Sequence, residues 1–207
     1  MVRNNIFLAI YTNAVKSYCD EAFFKNLSLI VTPYTLVNIV DNSKDANYAL
    51  RLQSLCDKYN IKAQIHHIEV DDGDYFFQRS VLLSVNYLRD LFLETECEHF
   101  VIIESDVIPP KNVIRRLTDS IKCNPDFGAI GGVYYKGIHK FTSEPLVEED
   151  CVFSGCTIYQ RELIEDRPFR WDINVEGCFP DSCMKYDAIE DGWRVGNIRN
   201  LQCQHIK

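Results

Sequence analysis

Four times in the first 106 residues a short strand-like segment leads directly into a polar cluster, and this pattern limits the folds open to the chain. Ile6 to Ile10 ends at Tyr11-Thr12-Asn13, and Leu36 to Val40 runs into Asp41-Asn42-Ser43. A third run, about Ala63 to Val70, leads to Asp71-Asp72-Gly73-Asp74, and Phe100 to Ile103 is followed at once by Glu104-Ser105-Asp106. The segments between them have helical spacing, with apolar residues at steps of three and four. Val15, Tyr18, Cys19, Ala22, Phe23 and Leu27 form one such face, and Tyr48, Ala49, Leu52, Leu55, Cys56 and Tyr59 a second, with Ser43 or Asp45 as its cap. Phe77, Val81, Val85, Leu88 and Phe92 mark a long helix from about Phe76 to Leu93. Val113, Ile114, Leu117 and Ile121 mark a fourth, with Pro110 in its first turn. Short strands alternating with amphipathic helices predict a largely parallel sheet covered on both faces. Reactive groups then belong beyond the carboxyl ends of the strands, where all four polar clusters fall.

After Asn124 the pattern changes. Phe127 to Tyr135 predicts a strand whose glycines at 128, 131 and 132 permit a sharp bend or a close approach to a ligand. Residues 139 to 150 are polar and acidic and predict a loop that includes Glu148, Glu149 and Asp150. Val152 to Tyr159 predicts a strand interrupted by Gly155, Arg161 to Ile164 a helical turn, and Asp181 to Glu190 a short helix closed by Gly192. The tail predicts two short strands, Trp193 to Ile198 and Leu201 to Ile206.

At 207 residues the chain suffices for one core, and it contains no linker or repeat. A formal charge of -8 disfavours a nucleic-acid backbone as partner. No run approaches 18 apolar residues, so a cytoplasmic protein is expected, with any membrane contact peripheral. Nine cysteines without a C-x-x-C pair predict reduced, buried thiols. The competing reading of Cys178, Cys183, Cys203 and His205 is a metal site of loose zinc-finger spacing.

Glu104-Ser105-Asp106 is the cluster that carries most chemistry. Two acids beside an open cleft repel one another, and a hard divalent cation such as Mg²⁺ or Mn²⁺ relieves that repulsion. Such an ion, held by one carboxylate, takes its other ligands from a diphosphate and water. The bland reading of the same triplet is a solvated turn whose acids face the positive end of the next helix. Thr12 and Asp41, at neighbouring strand ends, are placed to line a nucleoside pocket. Neither G-x-G-x-x-G nor G-x-x-x-x-G-K-S/T occurs, so a dinucleotide fingerprint and a P-loop are both disfavoured. His66 and His67, adjacent on a strand, point to opposite faces.

In order, these segments resemble the inverting, nucleotide-sugar-dependent glycosyltransferases of family 2 type and their GT-A relatives. LVNIVDNSKD (Leu36 to Asp45) is similar to the family's strand followed by D-x-S-x-D, which gives Asp41 the nucleoside contact. HFVIIESDVIPP (His99 to Pro110) is similar to the D-x-D segment, with Asp106 as metal-binding acid and Glu104 in place of the first aspartate. FSGCTIYQRELI (Phe153 to Ile164) resembles the stretch lining the donor-sugar and acceptor pocket, beside Gly155 and Ser154. FPDSCMKYDAIEDGWRVG (Phe179 to Gly196) resembles the segment that supplies the base, at Asp181, although Pro180 stands where a glutamate is common. His205 falls where many such enzymes place a metal-ligating histidine.

The resemblance implies a single GT-A domain over residues 1–207, with a Rossmann-like, mostly parallel central sheet flanked by helices. Residues 1–110 would form its nucleotide-binding half and 111–207 its donor-sugar and acceptor half. It implies transfer of a sugar from a UDP- or GDP-sugar to a hydroxyl of a saccharide, lipid-linked or protein acceptor. Asp181 would be the base, and Asp106 with His205 would hold Mn²⁺ or Mg²⁺. Thr12, Asp41, Glu104, Ser105, Asp106 and Gly155 would contact the nucleotide or donor. A retaining transferase on the same fold, which needs no base at Asp181, and a degenerate sugar- or nucleotide-binding domain are the competing readings. Phosphate contacts from Arg79, Lys136 or Lys140, and an acceptor contact from Trp171, also fit the sequence.

Overall fold

Every side chain of the first strand is buried, and its neighbours explain why. In the computed structural model, which describes residues 5–70, 77–134, 146–148, 155–175 and 179–206, β1 (Ile6–Thr12) lies in the middle of the sheet. It pairs in parallel with β2 (Thr35–Asp41) on one side and β4 (His99–Ile103) on the other. Beyond β2 lies β3 (Ala63–His67), also parallel. Alternate residues of β1 face opposite ways. Ile6, Leu8 and Ile10 join one core with α1 (Asp20–Ile30), α2 (Asn47–Lys58) and α4 (Val113–Cys123). Phe7, Ala9 and Tyr11 join the other, which includes α3 (Phe77–Leu93), α5 (Arg161–Asp166) and α6 (Pro180–Glu190). Aromatic rings dominate this second core: Phe100 lies 5.7 Å from Phe7, 5.3 Å from Phe92 and 6.2 Å from Phe169.

The predicted helical faces of α2, α3 and α4 are found, with Tyr48, Leu52, Leu55, Cys56, Val81, Val85, Leu88, Phe92, Val113, Ile114, Leu117 and Ile121 all buried. The side chain of Phe77 lies outside the described residues. Neither expected residue is the cap of α2: Ala46 holds that position without a side-chain bond, while Asp45 before it accepts the Asn47 N–H at 2.9 Å and Ser43 is engaged elsewhere. The first helix differs from the expectation. Residues 14–16 form a separate 3-10 turn, so Val15 and Tyr18 are exposed and α1 begins only at Asp20. Pro110 also lies outside its helix: it precedes α4 by three residues, and its carbonyl accepts the Val113 N–H.

The parallel arrangement gives way after β4. The sheet order is β3-β2-β1-β4-β8-β6-β9-β5, where β5 is Val107–Ile108, β6 Phe127–Tyr134, β8 Cys156–Gln160 and β9 Arg194–His205. β8 runs antiparallel to both β4 and β6, whereas β6 and β9 are parallel, so the sheet as a whole is mixed. Part of the predicted acidic loop is a strand, β7 (Leu146–Glu148), antiparallel to β9. Glu149, Asp150 and the start of the strand predicted from Val152 lie outside the described residues.

The tail is one twelve-residue strand rather than two. Its register against β6 shifts between Gly132 and Val133, and its far end pairs with β5. The glycines of β6 serve this packing. A Cβ on Gly128 would meet Trp193 at 2.9 Å, and one on Gly132 would meet Cys203 Sγ and Leu201 O at 3.1 Å, so the close approach is to protein. Among the described residues no helix is long and apolar enough to cross a membrane.

Candidate active site

The carboxylates of residues 104–106 are positioned by three backbone contacts. The Glu104 N–H donates to Gly155 O at 3.1 Å, which ties the end of β4 to the start of β8. The Val107 N–H donates to Glu104 O at 3.0 Å and closes the turn. The Ile206 N–H donates to Asp106 O at 2.8 Å, and Val107 pairs with His205, so the tail strand delivers His205 to this turn. His205 Nε2 then lies 3.7 Å from Asp106 Oδ2. Asp106 and Ser105 are 6% and 3% exposed, and Asp106 Oδ1 and Ser105 Oγ are buried with no hydrogen-bond partner among the described residues.

A cation already sits here. Lys16, at the end of the 3-10 turn after β1, places Nζ 3.0 Å from Asp106 Oδ2 and 3.9 Å from Glu104 Oε2. The turn is fixed at both ends, by the Asn13 side chain accepting the Val15 N–H and by the Ser17 N–H donating to Ala14 O. Cys19 clasps the two turns together, its Sγ 2.8 Å from Lys16 O and 3.2 Å from Ser105 O. Burial, with Asp106 nearby, pushes the Cys19 thiol up to about 11, so it remains a neutral donor. Tyr11 completes the surroundings by donating its hydroxyl to Glu104 Oε1 at 2.7 Å.

Two openings flank this cluster. The larger, about 520 Å³, lies at the ends of β1 and β2 and is lined by Asn13 to Lys16, Asn42 to Asp45 and Ser80. Its volume falls within the range of ordinary small-molecule sites. The smaller, about 30 Å³, is lined by Tyr11, Glu104, Phe179, Pro180 and Asp181 with apolar groups of α3 beneath. Lys16 faces the first and Glu104 the second, so their contact forms the partition.

Asp181 is in the first turn of α6, where a carboxylate is favoured by the helix dipole. It is not the cap, since Phe179 holds that position and Pro180 follows. Asp181 Oδ1 accepts the Ser182 N–H at 2.9 Å. The loop before it is anchored by Arg170, which forks onto Asp187 at 2.8 to 3.1 Å. Phe179 lines the opening with Asp181, and Phe179, Trp171 and Ile173 are all exposed.

Thr12 and Asp41 stand behind the larger cavity. Thr12 is 3% exposed, and its carbonyl accepts the Asn42 N–H. Asp41 is 0% exposed and has both carboxylate oxygens engaged, by the Ser43 N–H at 2.8 Å and by His67 Nδ1 at 3.0 Å. Ser43 in turn accepts the Ala14 N–H at 2.7 Å, so Asp41 braces the cavity wall. Sequence reasoning missed Lys16 and His67 as members of the site, and it placed Tyr11 and Ser43 in the strand-exit clusters without giving either a role there. The opposite-face rule for His66 and His67 holds, with His66 Nε2 against Asn38 Oδ1. Lys136, Lys140 and Ser154 lie outside the described residues, and Arg79 is exposed on α3.

Among the described residues no three carboxylate, imidazole or thiol groups converge. Asp106 and His205 do converge, and an orphaned, buried carboxylate oxygen beside an imidazole fits an ion that completes its shell with phosphate and water. The loose zinc site is not supported. Cys203 contacts Cys156 inside the core, Cys183 is buried on α6, and Cys178 lies outside the described residues. Of the seven described cysteines six are buried, as expected.

No protein-family model matches the sequence, and no curated protein sequence does. Solved structures do match. TarS from S. aureus, residues 1–349, superimposes with a TM-score of 0.70 at 14% identity over 98% of this chain and 60% of that one. The same protein in complex with UDP-GlcNAc gives 0.70 at 14% identity, with 98% and 58% covered. The mannosyltransferase PcManGT from Pyrobaculum calidifontis, in complex with GDP-Man and Mn²⁺, gives 0.69 at 14% identity, with 98% and 57% covered. The chain therefore has a GT-A-like α/β fold, and it spans under two thirds of the length of these structures.

Proposed function

We propose that the chain is a metal-dependent glycosyltransferase that moves a sugar from a nucleoside-diphosphate sugar, of the UDP or GDP type, to an acceptor hydroxyl with inversion. The observation that carries this reading is Asp106, a buried carboxylate with an orphaned oxygen, beside His205 and next to a cavity large enough for a nucleotide. Asp106 and His205 would hold Mn²⁺ or Mg²⁺. When bound, the ion supplies a Lewis acid for the charge that develops on the departing diphosphate.

The chain's own groups divide the remaining work. Asn13 to Lys16 and Asn42 to Asp45 enclose the nucleotide, with the backbone fixed from behind by Asp41. Glu104, oriented by the Tyr11 hydroxyl, separates this cavity from the smaller opening where Asp181 lies. Asp181 accepts the proton of the attacking hydroxyl, which needs a base within about 2.6–3.2 Å as the new bond forms. Phe179, exposed and lining the same opening as Asp181, offers a ring face to an acceptor sugar, and Trp171, exposed on the preceding segment, is a second candidate. At about 30 Å³ the smaller opening must widen before it admits one.

The two solved structures with a nucleotide sugar support the donor class by fold, and PcManGT with Mn²⁺ supports the ion. A thermal-shift screen of UDP, GDP and their sugars, with and without Mn²⁺, tests the reading, since a ligand that binds only the native state raises its melting temperature. A shift that needs both components and disappears in Asp106→Ala is expected. A shift that persists undiminished in Asp106→Ala would overturn the metal assignment.

A further inference from the structure

We infer that Lys16 is the built-in counter-ion of Asp106 and makes binding of the divalent ion conditional on the nucleoside diphosphate. The inference rests on the reading of Asp106 as the metal-holding acid. Lys16 Nζ occupies the same carboxylate oxygen, Oδ2, that faces His205, at 3.0 Å. The side chains involved are 12% and 8% exposed, so little water screens the pair. A doubly charged ion held by Asp106 and His205, on this oxygen or on the neighbouring Oδ1 of the same carboxylate, lies within a few ångströms of the ammonium, and the two cations repel. Either the ammonium leaves or the ion is kept out.

The structure also shows where the ammonium can go. Lys16 lines the larger cavity, and a lysine is a compact charge on a flexible stem with three donors. With the cavity empty, displacement costs Lys16 the nearer of its two carboxylate partners, leaving Glu104 at 3.9 Å, and exchanges one cation on Asp106 for another. With a diphosphate in the cavity, Lys16 moves to a phosphate oxygen, and Asp106 is released for the ion. Cys19 and Asn13 hold the backbone of the turn throughout, so only the side chain needs to swing. Thermodynamic linkage makes the effect reciprocal: whatever the nucleotide adds to metal affinity, the metal adds to nucleotide affinity.

Direct contact between ion and phosphate also couples the two ligands, so the decisive measurement is metal binding alone. Mn²⁺ binding to the purified chain, read by loss of the free-ion EPR signal, should be weak in the wild type without nucleotide. Lys16→Met should tighten it by at least about tenfold, which corresponds to 1.4 kcal/mol. Lys16→Arg, which keeps the charge, should leave it weak. Adding UDP or GDP should then raise Mn²⁺ affinity by a smaller factor in Lys16→Met than in the wild type. If circular dichroism shows that Lys16→Met is unfolded, Lys16→Gln takes its place. Equal Mn²⁺ affinity in the wild type and the neutral variant, with binding abolished by Asp106→Ala, overturns the role of Lys16 and leaves the metal site standing. Mn²⁺ binding in Lys16→Met that survives Asp106→Ala overturns the metal assignment as well.

Discussion

Asp41→Ala offers the sharpest test of how the larger cavity, the proposed nucleotide site, is built. The carboxylate is 0% exposed and accepts two hydrogen bonds, from the Ser43 N–H at 2.8 Å and from His67 Nδ1 at 3.0 Å. Hydrogen bonds to a charged group contribute about 1.5–3 kcal/mol each, and a buried donor left without an acceptor costs about 1–3 kcal/mol. Ser43 is 5% exposed, so its N–H suffers the full loss, whereas the His67 side chain, 23% exposed, can recover a bond from water. The expected destabilisation is about 3–4 kcal/mol, a large fraction of the roughly 5–15 kcal/mol that holds a domain folded. Asp41→Asn keeps a carbonyl for Ser43 and offers an amide that a neutral His67 nitrogen can accept, so about 1–2 kcal/mol is expected there.

Nucleotide affinity should fall together with stability, because Ser43 also accepts the Ala14 N–H and so ties Asp41 to the turn that carries Lys16. Urea denaturation measures the stability change, and calorimetric titration with UDP or GDP measures affinity. A side chain that met the base or ribose directly would behave differently. Asp41→Asn would then lose about tenfold or more in affinity, the equivalent of 1.4 kcal/mol, at undiminished stability. That result, or an Asp41→Ala variant within about 1 kcal/mol of the wild type, would refute the bracing role.

Asp181→Asn should lower kcat by about 10²–10⁴ while donor affinity is retained, and the wild-type product from an α-linked donor should be β-linked; weakened donor binding would argue against a base. Phe100→Ala, at the centre of the ring cluster, should cost about 3–5 kcal/mol in urea denaturation, and a cost below about 2 would mean that the cluster closes over the gap. Burial holds the His99 imidazole below its usual 6.5, and burial lowers His66 in the same way. The unfolded chain therefore takes up these protons first, so the stability they contribute is present above about pH 6.5 and is lost as the pH falls below it. His99→Phe should flatten the decline in melting temperature between about pH 7.5 and 5.5; an unchanged slope would count against the buried histidine as its source.

The fold was legible wherever local pattern and tertiary burial agree. β1, β2, β4 and the inner faces of α2, α3 and α4 follow from apolar period alone, because each buries the residues its spacing selects. The pattern failed where a turn intervened. Val15 and Tyr18 continue the helical spacing of Phe23 and Leu27, yet Asn13 caps a 3-10 turn first and rotates both residues into solvent. Strand direction was not legible after β4, because apolar content does not distinguish a parallel neighbour from an antiparallel one. β8 therefore enters antiparallel in a sheet whose first four strands are parallel. The single tail strand was read as two because Arg199 and Asn200 interrupt its apolar pattern at the point where its register against β6 shifts.

The acids of the candidate site were legible and their partners were not, for a physical reason. A carboxylate at a strand exit is conspicuous in sequence because nothing else there needs a charge, whereas its counter-ion can come from any turn that folds back. Lys16 is 90 residues from Asp106 in the chain, and only the 3-10 turn with its Cys19 clasp aims it inward. His67 looked like half of an unpromising pair and becomes the group that saturates Asp41. Both partners act in the same direction, removing a carboxylate from solvent and from direct contact with a ligand. The larger cavity is therefore lined by residues 13–16 and 42–45, with Lys16, Lys44 and Asp45 among them, while Asp41 is held behind its wall by Ser43 and His67. A net charge of -8 is no obstacle to binding a diphosphate on such a surface, provided the lysine leaves Asp106 when the anion arrives.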